Sequence, residues 1–202
     1  MAHSYSVDMR NTLMGAAFTC FRDRGLAKTT MSDVAREAKV SRSTLYQYFT
    51  DKEHLLEACA ETAAERFYQR MAQAMDEGKT LRDRLALAAA FVTSALRVVE
   101  GQLFYDRDEV NILLTRNSRA LLKDCADFIG PYIAAARVTG EVRRDIDVPA
   151  ASEWFARMLF SLFTTPSPLF DVSDSERTRD FVAQFVVDGF TPDPSAARRR
   201  RP

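Results

Sequence analysis

Residues 29–56 read TTMSDVAREAKVSRSTLYQYFTDKEHLL. They fit two short helices and the start of a third, joined by turns too tight for anything but a helix-turn-helix. Thr30, with Asp33 three residues on, has the form of a capping box, in which the hydroxyl accepts first-turn N–H bonds and the carboxylate reaches back to the cap. A helix is expected from Met31 to about Ala38. Its apolar positions Met31, Val34, Ala35 and Ala38 fall at i, i+3, i+4 and i+7, which buries one stripe and leaves Ser32, Asp33, Arg36 and Glu37 wet. Lys39 and Val40 form the turn. Ser41 caps a second helix, Arg42 to about Phe49, with Leu45 and Phe49 pointing inward.

The outside of that second helix carries Arg42, Ser43, Thr44, Gln47 and Tyr48. A guanidinium can fork onto guanine or phosphate, an amide can pair with adenine, and hydroxyls and an aromatic ring serve phosphates and thymine methyls; these are the groups a major-groove reader needs. Thr50 with Glu53 forms a further capping box. Lys52 then falls in a first helical turn, where the dipole disfavours a cation, and a phosphate lying against that helix end would account for it. Lys28 and Thr29, in the loop before the first short helix, are expected close enough to the DNA to touch phosphate. The candidate DNA-contacting set is Lys28, Thr30, Ser41, Arg42, Ser43, Thr44, Tyr46, Gln47, Tyr48 and Lys52.

From about Thr12 to Leu56 the chain resembles the DNA-binding domain of the TetR family of transcriptional repressors. The resemblance rests on Phe21-Arg22-Asp23-Arg24-Gly25 closing a first helix, on Ser41-Arg42-Ser43-Thr44-Leu45-Tyr46-Gln47-Tyr48-Phe49, and on Lys52-Glu53. It covers about a quarter of the chain. One departure is Lys39, where the family usually has Gly; a side chain there is expected to sit in a left-handed conformation at modest cost.

The 202 residues, nearly half apolar and poor in Gly and Pro, suit an all-α protein of one sizeable domain or two small ones. Lys and Arg total 28 against 28 Asp and Glu. The global field therefore gives no sign of nucleic-acid binding, and the case for DNA rests on one short region. No leader pattern and no apolar run of membrane-spanning length is present, so a cytoplasmic protein is expected. Cys20, Cys59 and Cys125 fit no disulfide framework or zinc spacing and read as small hydrophobes. His3, in the arm, and His54, expected on the exposed face of the helix after the DNA reader, are the only histidines, and no phosphate loop, nucleophile elbow or metal spacing appears. No cofactor and no enzymatic activity are expected.

In chain order, residues 1–7 read as a loose arm and a first helix runs from Asp8 to a stop at Gly25. After Asp51 the pattern continues unbroken to about Glu77, roughly 26 residues or about 40 Å of helix, long enough to carry a displacement from a DNA-reading surface to a second domain. Further helices are expected at Leu81–Glu100, Asp106–Arg116, Ser118–Thr139, Pro149–Thr164 and Asp174–Phe190, about nine in all, with Pro131 kinking or dividing its own. The domains are expected at 1–50, for DNA binding, and 51–190, for ligand binding and dimerisation. The tail 191–202, with Arg198 to Arg201, reads as disordered.

The Pro149 and Asp174 helices are apolar on more than one face, which calls for burial on both sides and hence a partner chain. Phe155, Leu159, Phe163, Phe181, Phe185 and Val186 are the candidates for a homodimer interface, and the resemblance implies that these helices form a four-helix bundle with their copies. It also implies a small-molecule cavity behind the long fourth helix, near Phe67, Met71, Phe91, Phe104, Tyr105, Asn111, Leu114, Phe128, Tyr132, Trp154, Arg157 and Met158. The aromatic and Met content of that set suits a lipophilic effector. The reading that follows is a repressor that binds a palindromic DNA operator as a homodimer and is released by a small molecule. An all-helical enzyme or partner-binding protein with an incidental helix-turn-helix is the alternative.

Overall fold

The computed structural model describes residues 2–102, 118–165 and 167–186. Among these the chain is all helical: α1 (Ala2–Arg24), α2 (Met31–Glu37), α3 (Arg42–Tyr48), α4 (Lys52–Met75), α5 (Leu81–Gln102), α6 (Ser118–Thr139), α7 (Val148–Thr164) and α8 (Ser175–Phe181), followed by a π-helical turn, Val182–Val186. The helix expected at 106–116 and the tail with Arg198–Arg201 lie outside the described residues. Two compact units divide the chain, Met1–Phe67 with Glu100–Asp106, and Tyr68–Val99 with Arg107–Pro202.

The first unit is organised on a core that the helix periodicities dictate. Leu13 and Ala17 of α1, Val34 of α2, Leu45 and Phe49 of and after α3, and Leu55 of α4 are all buried together. Burying side chains of this size contributes on the order of 1.5–3 kcal/mol each. Gly25, at φ 80°, ends α1 in the left-handed conformation that a residue without a Cβ adopts freely, and its N–H bonds the Phe21 carbonyl at 2.9 Å. Thr29 is buried rather than turned towards DNA: its hydroxyl donates to the carbonyls of Gly25 (2.8 Å) and Cys20 (3.1 Å), stitching the loop back onto α1.

Three boundaries differ from expectation. The residues read as an arm continue α1 to Ala2. The cap of α4 is Asp51 and not Thr50: the Asp51 carboxylate accepts the His54 N–H at 2.9 Å, a charged acceptor at the positive end of the helix. At the far end, α5 passes through Gly101 to Gln102, where a break was expected.

In the second unit, Thr80 and Asp83 form a reciprocal capping box at the start of α5, and the Leu81 N–H bonds the Glu141 carboxylate. The helix α6 stays undivided across Pro131. Gly140, at φ 80°, stops it where predicted, and Asp147 caps α7 with Pro149 in its first turn. Helices α6 and α7 pack on each other; at Gly130 a Cβ would stand 3.5 Å from the Ser152 hydroxyl. The cap of α8 is Asp174, which accepts from the N–H groups of Glu176 and Arg177, and the helix widens to π geometry at Val182 instead of continuing as α.

Candidate functional site

Helix α3 is seven residues long and is held by two side chains. Leu45 and Phe49 are fully buried, so the rest of its surface is free of core duty. Arg42, Ser43, Tyr46 and Gln47 are exposed, while Thr44 is half-buried and Tyr48 packs its ring partly on the core. Ser41 Oγ accepts the Thr44 N–H at 3.0 Å and lies 2.7 Å from Ser43 Oγ and 2.8 Å from Thr44 Oγ1, a short relay of hydroxyls at the start of the helix. The turn before it closes through Lys39 at φ 56°, the left-handed conformation that the resemblance implied for a non-glycine residue there.

The acidic side chains of this region are engaged by groups of the chain itself. Asp33 is spoken for: its carboxylate accepts from the Thr30 hydroxyl (2.6 Å) and N–H (3.0 Å), from Arg24 (2.7 Å) and from Arg36 (2.5 Å). The Thr30 hydroxyl bond is the first cause holding this carboxyl at about 2, followed by the Thr30 N–H, with the two guanidinium groups adding to it. Asp51 is likewise held below the usual aspartate range by the His54 N–H. Lys28 is exposed in the loop before α2.

Two expectations about the start of α4 change. Lys52 is half-buried, and its ammonium donates to the Leu26 carbonyl at 2.6 Å, with the Ala27 carbonyl at 3.5 Å. His54, expected on an exposed face, is half-buried: its ring stands edge-on to Phe49 at 5.5 Å and its Nδ1 accepts the Thr50 N–H at 3.3 Å. Residue spacing alone could not find the Lys52 contact, because Lys52 and Leu26 are 26 positions apart.

Of the residues that the resemblance placed around an effector, Phe104, Tyr105, Asn111 and Leu114 lie outside the described residues. Phe67 is half-buried in the first unit. In the second unit Met71 is fully buried, Phe91 and Met158 are half-buried, and Trp154 is 42 % exposed. Phe128 lies between Tyr68 and Tyr132, at ring-centre distances of 5.0 and 5.7 Å, and the Arg84 guanidinium stands 6.0 Å from the centre of the Tyr132 ring. Arg157 pairs with Glu153 at 2.5 Å and borders a groove of about 980 Å³ along α6 and α7, whose other walls include Arg119, Lys123, Asp127 and Ser152. Lys123 and Asp127 form a matching pair across one turn of α6. The i, i+4 spacing of both pairs was present in the sequence as a signal.

The interface candidates separate into two groups. Phe155 and Leu159 are buried within the subunit, at 0 % and 2 % exposure, and are corrected to core residues: they lie on the inner stripe of α7 with Ala151, Ala156 and Leu162. Phe185 is 64 % exposed, and Phe181 is half-buried between the rings of Phe170 and Phe185. The side chains of Phe163 and Val186 lie outside the described residues.

A short helix braced by two buried side chains, presenting a guanidinium, hydroxyls, an amide and phenols beyond a tight turn, defines a helix-turn-helix DNA-binding protein. Residues 13–59 match the family model described as bacterial regulatory proteins, tetR family. The Fatty acid metabolism regulator protein of Bacillus subtilis is 23 % identical over 156 residues, 76 % of this chain and 80 % of that one. The HTH-type transcriptional repressor KstR2 of Mycolicibacterium smegmatis is 30 % identical over 110 residues, 54 % of each chain. The crystal structure of the regulator FadR from Bacillus subtilis in complex with stearoyl-CoA superposes with a TM-score of 0.58 at 21 % identity, over 86 % of this chain and 97 % of that one. Residues 13–59 are thus a DNA-binding segment of the TetR type, and the chain beyond them is similar to transcriptional regulators. Among the described residues no helix is long and apolar enough to cross a membrane.

Proposed function

We propose that the protein is a cytoplasmic repressor that binds a near-palindromic operator as a homodimer and leaves it when a small, lipophilic molecule binds the second unit. The observation that carries the DNA half is the outer face of α3: Arg42, Ser43, Tyr46 and Gln47 are exposed while Leu45 and Phe49 anchor the helix from beneath. Arg42 and Gln47 read base edges in this proposal. Ser41, Ser43, Thr44, Tyr46 and Tyr48 share base and backbone contacts, and Lys28 and Thr30 meet phosphate.

The effector half is supported by the stearoyl-CoA named with FadR and by the aromatic and sulfur-bearing side chains of the second unit, Met71, Phe91, Phe128, Tyr132, Trp154 and Met158. A ligand releases DNA only by binding the released geometry more tightly, and DNA must then weaken ligand binding by the same factor, typically a coupling of about 1–3 kcal/mol. An enzymatic role has no comparable support, because the exposed set on α3 serves no catalytic purpose. Selection of duplexes from a random pool, followed by titration with and without long-chain acyl thioesters, tests the proposal. A pool that yields no enriched near-palindrome would overturn the operator reading. Enriched duplexes whose affinity no lipophilic compound alters would overturn the effector reading alone.

A further inference from the structure

The sequence placed Lys52 against a phosphate, but the geometry points to another role. We propose that Lys52 is a positioning residue for DNA reading, a latch that fixes the start of α4 to the loop carrying Lys28 and so sets the height of that loop beside α3. The inference rests on the reading of α3 as the DNA-contacting helix and deepens it.

Three features of the loop 25–29 support the latch. Its first half follows the C-terminal end of α1, where the carbonyl end of the helix dipole favours a cation. The Lys52 ammonium sits there, 2.6 Å from the Leu26 carbonyl and 3.5 Å from that of Ala27. The loop's other end is already fixed, because the buried Thr29 hydroxyl bonds the carbonyls of Gly25 and Cys20. Lys28 lies between these two anchors, exposed, and Thr30, the cap of α2, follows immediately.

A cation in the first turn of α4 is unfavourable for α4 itself. The two loop carbonyls give it a partner within the chain and leave no need for a phosphate to explain its place. Because α4 continues past Phe67 into the residues of the second unit, rotation of α4 away from this loop must break the Lys52 bond. Removing the latch lets the loop and α4 move independently, so the loss falls on the fit to a specific sequence and not on general attraction to DNA.

The dependence of affinity on salt separates this role from a phosphate contact. A residue that neutralises one phosphate contributes about 0.9 to the slope of log affinity against log salt, whereas a positioning residue contributes nothing to it. The test uses the duplex that the parent protein selects from a random pool, and an unrelated duplex of equal length. Lys52→Met is expected to weaken the selected duplex about tenfold or more, leave the unrelated duplex within about twofold, and keep the parent's salt slope. Lys52→Arg, which can still donate to the carbonyls, is expected to restore most of the loss. Lys28→Ala serves as the contrasting case, lowering the slope by about 0.9 on both duplexes.

Amide exchange of the DNA-free protein gives an independent reading. The Thr29 N–H, which bonds the Gly25 carbonyl at 3.2 Å, is expected to exchange faster in Lys52→Met, with Val34 and Leu45 unchanged, which also shows that the core remains folded. A lowered slope with equal weakening of both duplexes would make Lys52 a phosphate contact and overturn the latch, as would unchanged exchange in the loop. If the parent selects no duplex at all, the DNA reading of α3 fails, while the exchange arm still decides whether Lys52 holds the loop.

Discussion

The carboxylate of Asp33 accepts the guanidinium of Arg24 at 2.7 Å, so the last residue of α1 and the first turn of α2 share an ion pair across nine positions of sequence. The same carboxylate closes the capping box on Thr30. One side chain therefore starts α2 and ties it to α1.

That arrangement makes stability depend on acid. Asp33 titrates at about 2 in the folded chain against an ordinary value of 3.8, chiefly because the Thr30 hydroxyl bonds its charged form. Its folded value is depressed, so its contribution is fully present above about pH 4 and is lost as the pH falls from there towards 2. Urea unfolding of the parent and of Asp33→Asn at pH 6 and at pH 2.5 is expected to show a gap in midpoint at the higher pH that narrows at the lower. A gap independent of pH would mean that the carboxylate's charge plays no part.

On the outer face of α3, Arg42→Ala and Gln47→Ala are each expected to weaken specific DNA binding by about 1–3 kcal/mol. Both residues are exposed, so the thermal midpoint should stay within about 0.5 kcal/mol equivalent of the parent. Tyr48 needs the subtler change Tyr48→Phe, because its ring packs partly on the core and truncation would mix two effects. Fluorescence anisotropy with a labelled selected duplex measures all three.

Phe155 and Phe185 should behave as opposites. Phe155 is fully buried in its own subunit, so Phe155→Ala is expected to cost about 3–5 kcal/mol in urea unfolding. Phe185 is largely exposed, so Phe185→Asp should leave the fold standing while lowering the mass seen by light scattering from twice 22.8 kDa to the single chain. A parent that scatters as a single chain would remove the proposed homodimer.

All three cysteines are buried and free. Burial pushes the Cys59 thiol up to about 11 and the Cys125 thiol up to about 12, and raises that of Cys20 as well. Because the thiolate is the reactive form, a thiol reagent at pH 8 is expected to label the native chain at least about tenfold more slowly than the urea-unfolded chain. Mass spectrometry of the labelled protein reads out each position.

What could be read in the sequence was whatever depends on close neighbours. The Thr30–Asp33 box, the inward Leu45 and Phe49 and the end of α6 at Thr139 before Gly140 each follow from residues within a turn or two of one another, whereas the left-handed Lys39 followed from the resemblance. The start of α4 was misjudged by one residue because Thr50 and Asp51 both have the form of a cap, and the charged acceptor wins. Phe155 was misplaced for another reason. A helix apolar on several faces shows that it must be covered, but its spacing does not distinguish its own subunit's core from a second copy. Contacts across the chain, such as Lys52 with Leu26 or Tyr68 with Phe128, leave no periodic trace at all.

Lys39 keeps a side chain where φ is 56°. For a residue with a Cβ the left-handed well is narrow and costs about 1–2 kcal/mol, while glycine roams there almost freely. A glycine hinge between α2 and α3 would let the reading helix sample many poses at little cost. Lysine exchanges a little stability for a stiffer elbow. Tolerance for variant half-site spacing then has to come from elsewhere in the proposed dimer, and the Lys39→Gly chain should accept a broader range of spacings than its parent.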